Sequence, residues 1–296
     1  MTGTGLKFTK MSAGGNDFIM IDGVTAADEP IAFEADFVRR ACSRALSVGA
    51  DGVILIEPSQ DASVTMTYYN ADGGRAALCG NGVLCVARMV AVRRWAPAEA
   101  MTIRTDVGTL PAGVDGEMSR FTLALGRPAL TARTLSLSGS LDEVSRDVEA
   151  THVVTGVPHL VVEARDAHGM DRDRFLSLAS RLRRHPDLGP EGANVDFITV
   201  RGRDAIDIRF FERGIEGETL TSGTGCIASA LTAHASGKTD AMVVCRSRTG
   251  VTSTVTLGED PDGGAVATLS GHARIIYTAV MNDEALRGFT PSGSGA

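Results

Sequence analysis

The chain has 296 residues, 43% of them hydrophobic and 22% charged, with a formal net charge of −7, which suits one large domain or two of ordinary size. No apolar run reaches the roughly 18 residues of a membrane span, the opening MTGTGLKFTKMSAGG lacks a signal-peptide h-region, and no basic block marks nucleic acid as a partner, so the chain reads as soluble and cytoplasmic. Only three of the 29 basic residues are lysines, Lys7, Lys10 and Lys238, a poor supply for Schiff-base chemistry. The five cysteines (Cys42, Cys79, Cys85, Cys226, Cys245) form no metal-ligand spacing.

In chain order, Ala35–Leu46 fits an amphipathic helix. Val64, Met66 and Tyr68 alternate with threonines as a half-buried strand. A polar, glycine-bearing loop follows, and a small-residue helix starts near Gly80 with Val83, Val86, Ala87 and Val90 on one face. Arg172–Arg184 fits a second amphipathic helix. Ile206, Ile208 and Phe210 alternate as another strand, and a second small-residue helix starts near Gly223, carries Ile227, Ala230 and Leu231, and stops at Gly237. Arg274–Met281 alternates as a final strand, and Thr290–Ala296 reads as a frayed tail. Strands outnumber helices, so the class is α+β.

The chain also repeats itself. Gly15-Asn-Asp-Phe-Ile-Met-Ile meets Gly156-Val-Pro-His-Leu-Val-Val at an offset of 141 residues. Ala50-Asp-Gly-Val meets Ala193-Asn-Val-Asp, and Cys79-Gly80-Asn81-Gly82 meets Ser222-Gly223-Thr224-Gly225, both at 143. Three matches at nearly constant offset point to a duplicated unit.

The segment from Asn70 to Gly82 carries the most chemistry. Cys79 falls at a helix N-terminus, where unpaired first-turn N–H groups and the helix dipole favour a thiolate. Gly80 and Gly82 let a ligand approach bare amides that bind an anion such as a carboxylate. A buried cysteine beside a tight turn fits the same pattern. In the second half, Glu212-Arg-Gly-Ile-Glu-Gly-Glu-Thr-Leu-Thr-Ser222-Gly-Thr-Gly repeats the arrangement, and Ser222 reads either as the counterpart of Cys79 or as an ordinary N-cap.

At Gly15-Asn16-Asp17-Phe18, Asn70-Ala-Asp-Gly73, Cys79-Gly-Asn-Gly82, Gly156-Val-Pro-His159, Asn194-Val-Asp-Phe197, Glu212-Arg-Gly214 and Gly223-Thr-Gly225 the chain resembles the diaminopimelate epimerase family, in the family's order and over nearly its whole length. The resemblance implies two pseudo-symmetric α+β lobes, each a mixed, strand-rich sheet wrapped around a central helix. The lobes would be residues 1–125, with 275–290 returning to them, and residues 126–274. It implies cofactor-independent epimerisation of an amino acid α-carbon in lysine biosynthesis, with no metal, and a homodimer. Cys79 then matches one catalytic thiol, and Ser222 stands at the position of the second. Gly80, Asn81, Gly223 and Thr224 match the groups that hold the reacting carboxylate. Asn16, Asn70, Asn194, Glu212 and Arg213 match substrate-binding positions. His159 either orients the site with Glu212 or is satisfied by backbone.

Departures from the pattern bear on activity. A hydroxyl is a far poorer acid than a thiol, and Cys226 lies one helical turn further in. Three readings follow: a serine introduced to trap the enzyme, a one-thiol enzyme with slow epimerisation, racemisation or dehydration, and a paralogue that binds an amino acid without turnover. Val157 replaces an asparagine, Leu84 replaces an arginine, and Glu216 is a one-residue insertion.

Overall fold

The computed structural model describes residues 5–25, 33–137 and 146–286; the expected tail and the last residues of the expected returning strand lie outside them. The chain divides into two compact units, one up to Glu117 and again from Ala273 on, the other Met118–His272. Residues 118–125, expected in the first lobe, fall in the second unit because Met118–Gly126 pairs antiparallel with the chain from Ala265 to His272.

The first unit contains β1 (Leu6–Ala13), β2 (Asn16–Asp22), α1 (Ala35–Cys42), β3 (Gly52–Glu57), β4 (Val64–Asn70), β5 (Arg75–Ala76), α2 (Gly80–Arg93), β6 (Met101–Thr105) and β7 (Gly108–Asp115). The second contains β8 (Met118–Gly126), β9 (Thr131–Leu137), β10 (Arg146–Val154), β11 (Pro158–Glu163), α3 (Arg172–Arg183), β12 (Asn194–Val200), β13 (Ala205–Glu212), β14 (Gly217–Thr219), α4 (Gly223–Ala235), β15 (Met242–Ser247) and β16 (Thr252–Glu259). The last strand, β17 (Ala265–Met281), serves both, pairing with β8 and β16 up to His272 and with β1 from Ala273.

The duplication is visible in the ladders. In the first unit β2 is antiparallel to β1 and parallel to β3, β3 is antiparallel to β4, and β4 is antiparallel to β5 and parallel to β6, which turns back into β7. Replacing these by β10, β11, β12, β13, β14, β15 and β16 gives the same list of pairings with the same senses. Each parallel step is bridged by a helix, as parallel neighbours require.

Composition decides which helix is central. From Gly80 to Val90 every residue of α2 but Arg88 is buried, and α2 packs on β1, β2, β4, β6 and β7. From Gly225 to Ala233 every residue of α4 is buried, against β10, β11, β12, β13, β15 and β16. A helix enclosed all round has to be small and apolar all round, hence the Gly, Ala, Val and Cys. By contrast α3 buries one stripe, Phe175, Ala179 and Leu182, at helical spacing. Its start is fixed by Asp171, whose Oδ1 accepts from the Asp173 and Arg174 N–H groups at 3.0 Å. At the end of α4, Gly237 takes φ 71° and donates to the His234 carbonyl at 2.8 Å, while Lys238 N–H reaches the Ala233 carbonyl, the left-handed stop its position predicts.

One helix is shorter than its sequence pattern. The expected Ala35–Leu46 helix ends at Cys42. Gly49 and Ala50 donate to the Ala41 and Cys42 carbonyls, Ala45 sits at φ 69°, and Leu46 is exposed. The returning chain has taken the carbonyls, and no apolar contact extends the helix.

Candidate active site

Two helix starts carry the candidate residues. In the first unit Cys79 is the N-cap of α2, with extended backbone angles φ −135° and ψ 108°. It alone of the five cysteines is not buried. Burial pushes the Cys42 thiol up to about 11, and burial together with neighbouring charge pushes Cys85 well above the usual range. At Cys226 a hydrogen bond with Cys245 and burial do the same. Gly82 is required here: a Cβ would come within 2.8 Å of Ile54 and 3.3 Å of the Cys79 Cβ.

Beside this helix start, the Asn16 amide is committed at both ends. Its Oδ1 accepts from Asn81 Nδ2 at 2.8 Å and its Nδ2 donates to Asp51 Oδ2 at 3.0 Å. Asp51 is held in turn by Arg44 at 2.8 Å. The Asp17 carboxyl, which burial would raise, is held below the usual range by Arg44 and by the buried Lys10. Asn70 ends β4 with its side chain exposed, in a turn closed by the Gly74 carbonyl.

In the second unit Ser222 is the N-cap of α4 at φ −139° and ψ 117°, nearly the Cys79 conformation, and its Oγ accepts from the Gly225 N–H at 3.3 Å. The serine is thus a true helix cap as well as the positional counterpart of Cys79. Next to it Thr224 Oγ1 lies 3.0 Å from His159 Nε2, and the other ring nitrogen lies 2.7 Å from Asp196 Oδ2. His159 and Asp196 are both fully buried. His159 is therefore held by side chains, with Asp196 rather than Glu212 as its direct partner. The Asn194 amide reaches His159 Nε2 at 3.5 Å and accepts the Arg213 N–H at 2.8 Å, leaving the Arg213 guanidinium to a 3.3 Å contact with Glu191. Burial pushes the Glu212 carboxyl above its usual range, against hydrogen bonds from Ser222 and Thr219 and the attraction of His159.

The structure thus gathers Cys79, Gly80, Asn81 and Asn16 at the start of α2. It gathers Ser222, Gly223, Thr224, His159, Asn194, Glu212 and Arg213 at the start of α4. Sequence reasoning missed Asp196, Asp51 and Thr219. Asp196 was visible as a carboxylate between Val195 and Phe197 in a strand buried along nearly its whole length, since a charge there needs a partner. Of the departures, Leu84 is core, and Glu216 takes φ 53° and pins its loop to the end of α3 through Arg183 and Arg184 at 2.9 and 2.8 Å. The described residues contain no cluster of His, Cys, Asp and Glu able to hold a metal ion, and no helix long and apolar enough to cross a membrane.

Paired glycine-led helix starts in a duplicated α+β chain have known counterparts. The family model described as diaminopimelate epimerase matches residues 8–131 and 151–276. The chain belongs to the diaminopimelate epimerase family. A diaminopimelate epimerase of Archaeoglobus fulgidus is 35% identical over 95% of this chain and 98% of its own length. One from Gemmatimonas aurantiaca is 33% identical over 92% and 98%. Among solved structures, a hydroxyproline epimerase of Agrobacterium vitis with bound trans-4-hydroxy-L-proline shares the fold at TM-score 0.67 and 15% identity, over 95% of this chain and 93% of that one. A phenazine biosynthesis protein of Bacillus anthracis does so at TM-score 0.66 and 17% identity, over 93% and 98%. This member of the diaminopimelate epimerase family is an isomerase, and it carries a cysteine at one helix start and a serine at the other.

Proposed function

We propose that the chain inverts an amino acid α-carbon without a cofactor, taking LL-diaminopimelate to meso-diaminopimelate, and that Ser222 slows or redirects turnover. The observation that carries this reading is the matched pair of N-caps, Cys79 at φ −135°, ψ 108° and Ser222 at φ −139°, ψ 117°, each followed by first-turn amides. Removal of an α-proton leaves carbanion charge that spreads onto the carboxylate. The N–H groups that follow Cys79 and Ser222 supply preorganised donors for that charge. A Cys79 thiolate takes the α-proton, and Ser222 stands at the position where the family pattern calls for the second acid/base group. Asn194 and Arg213 suit the distal amino and carboxylate groups, the arginine by its planar fork.

The test is α-proton exchange in D2O, followed by NMR over a panel of L- and D-amino acids. Deuterium enters LL-diaminopimelate at the α-carbon, Cys79→Ala abolishes exchange, and Ser222→Cys raises two-way epimerisation by orders of magnitude. Exchange confined to another amino acid supports a second reading, favoured by Val157 in place of an asparagine: a racemase or dehydratase using one thiol. Binding without exchange of any amino acid overturns the enzymatic reading in favour of an amino acid-binding paralogue.

A further inference from the structure

The second unit also holds a cavity of about 170 Å³ with an uneven set of charges. One water needs roughly 10–15 Å³, so the space takes a small polyatomic ion. Three arginines from three parts of the chain line it: Arg172 at the first position of α3, Arg209 on β13, and Arg248 in the turn between β15 and β16. Among the described lining residues Glu218, on β14, is the one carboxylate.

That carboxylate is taken up by the inner arginines. Glu218 Oε1 accepts from Arg209 Nε at 2.8 Å and from Arg248 Nε at 3.2 Å, and Oε2 accepts from Arg209 Nη2 at 3.0 Å. Arg209 is fully buried, donates through Nη1 to the Met170 carbonyl at 2.6 Å and lies 3.9 Å over the Phe175 ring. It is a fixed part of the wall. The terminal nitrogens of Arg248 and the whole guanidinium of Arg172 have no ion-pair or hydrogen-bond partner among the described residues. Asp171, which precedes Arg172, is turned to its own helix start, where Oδ1 accepts the Asp173 and Arg174 N–H groups. Three guanidinium groups against one carboxylate leave a positive excess. In a concave site that field is stronger than on an open surface.

We propose that this cavity binds a tetrahedral dianion, free phosphate or the phosphate end of a small metabolite, between Arg172 and Arg248. Each arginine fork presents parallel N–H donors that match two phosphate oxygens. The double charge of phosphate offsets the excess that Glu218 leaves. Thr249, whose Oγ1 lies 2.9 Å from Ser247 Oγ, adds a hydroxyl to the lining. The site stands independently of the epimerase reading and uses none of the residues named for it.

The deciding experiment is isothermal titration calorimetry of the whole chain with inorganic phosphate, glycerol phosphate and acetate at fixed ionic strength. It compares wild type with Arg172→Ala, Arg172→Lys, Arg248→Ala and Arg203→Ala. Arg203 pairs with Asp240 at 2.6 Å and is not part of the lining, so its variant controls for the general loss of a positive charge. Wild type should show one saturable phosphate site. Arg172→Ala and Arg248→Ala should each weaken it roughly 10-fold or more, Arg172→Lys should recover part of the loss, and Arg203→Ala should bind as wild type does. Arg209 is left in place, because its removal would strip Glu218 of its buried partner. Tighter binding of glycerol phosphate assigns the site to a metabolite's end group, tighter binding of phosphate assigns it to the free ion, and either supports the proposal. No saturable binding of either, equal weakening in Arg203→Ala, or acetate bound as tightly as phosphate overturns it. Hydrogen exchange gives a second reading. Bound phosphate should slow the amides of the 248–251 turn and of β14 in wild type and not in Arg172→Ala, and slowing spread evenly over the chain overturns the site.

Discussion

Glu212 shows how the burial of one side chain couples stability to pH. Its carboxyl is raised by burial, against the hydrogen bond from Ser222. A group raised in the folded state contributes its full stability below its unfolded value and loses it as pH climbs through the folded one. Glutamine keeps the acceptor for Ser222 and removes the charge. Glu212→Gln should therefore match wild type near pH 4 and become progressively the more stable protein towards neutrality. Thermal unfolding of both across that range checks this, and a constant gap would mean that Glu212 ionises as freely in the fold as in the unfolded chain. Cys79 was the easiest of these residues to read, because its motif Cys-Gly-Asn-Gly states a helix start. Asp196 was harder. Its role depends on His159, 37 residues away in sequence, and on a parallel pairing that sets His159 beside Asn194.

At the scale of elements, the two central helices set the tolerance of the site. Gly225 lies where α4 crosses β12 and β13, and a Cβ there would come within 2.9 Å of Asp196 Oδ1 and of the Phe210 ring. Gly237 has nothing within 4 Å of an added Cβ but sits at φ 71°. The two glycines are therefore needed for different reasons, one for space and one for backbone conformation. Gly225→Ala should cost about 1–3 kcal/mol by overpacking and disturb His159 through Asp196. Gly237→Ala should cost about 1–2 kcal/mol from the left-handed strain and leave substrate exchange alone. Urea unfolding with exchange assays separates them, and a Gly237→Ala variant that loses exchange would contradict the assignment. Sequence periodicity found α3 to within a residue because its apolar stripe and Asp171 cap are local. It overran α1 because the carbonyls at Ala41 and Cys42 are claimed by Gly49 and Ala50, a decision made by the returning chain.

For the whole molecule, β17 is the strand on which both units depend. Its pairs with β1 run from Leu6↔Met281 to Ala13↔Ala273, with one irregularity between Lys10 and Met11. Truncation before Ala273 should lower hydrogen-exchange protection along β1, which keeps only its pairing with β2, while β10 to β13 keep theirs, since the second unit retains β17 up to His272. Equal loss in both units would show that they fold as one. The sequence by itself determined the duplication, the class, the two glycine-led helix starts and the family, because each rests on local pattern repeated at fixed spacing. It also exposed the serine at position 222. Tertiary structure decided which groups surround that serine: a glutamate raised by burial, a threonine on β14, and a histidine held by an aspartate on the neighbouring strand. Strand register and burial bring these residues together, and neither can be read from the order of the residues alone.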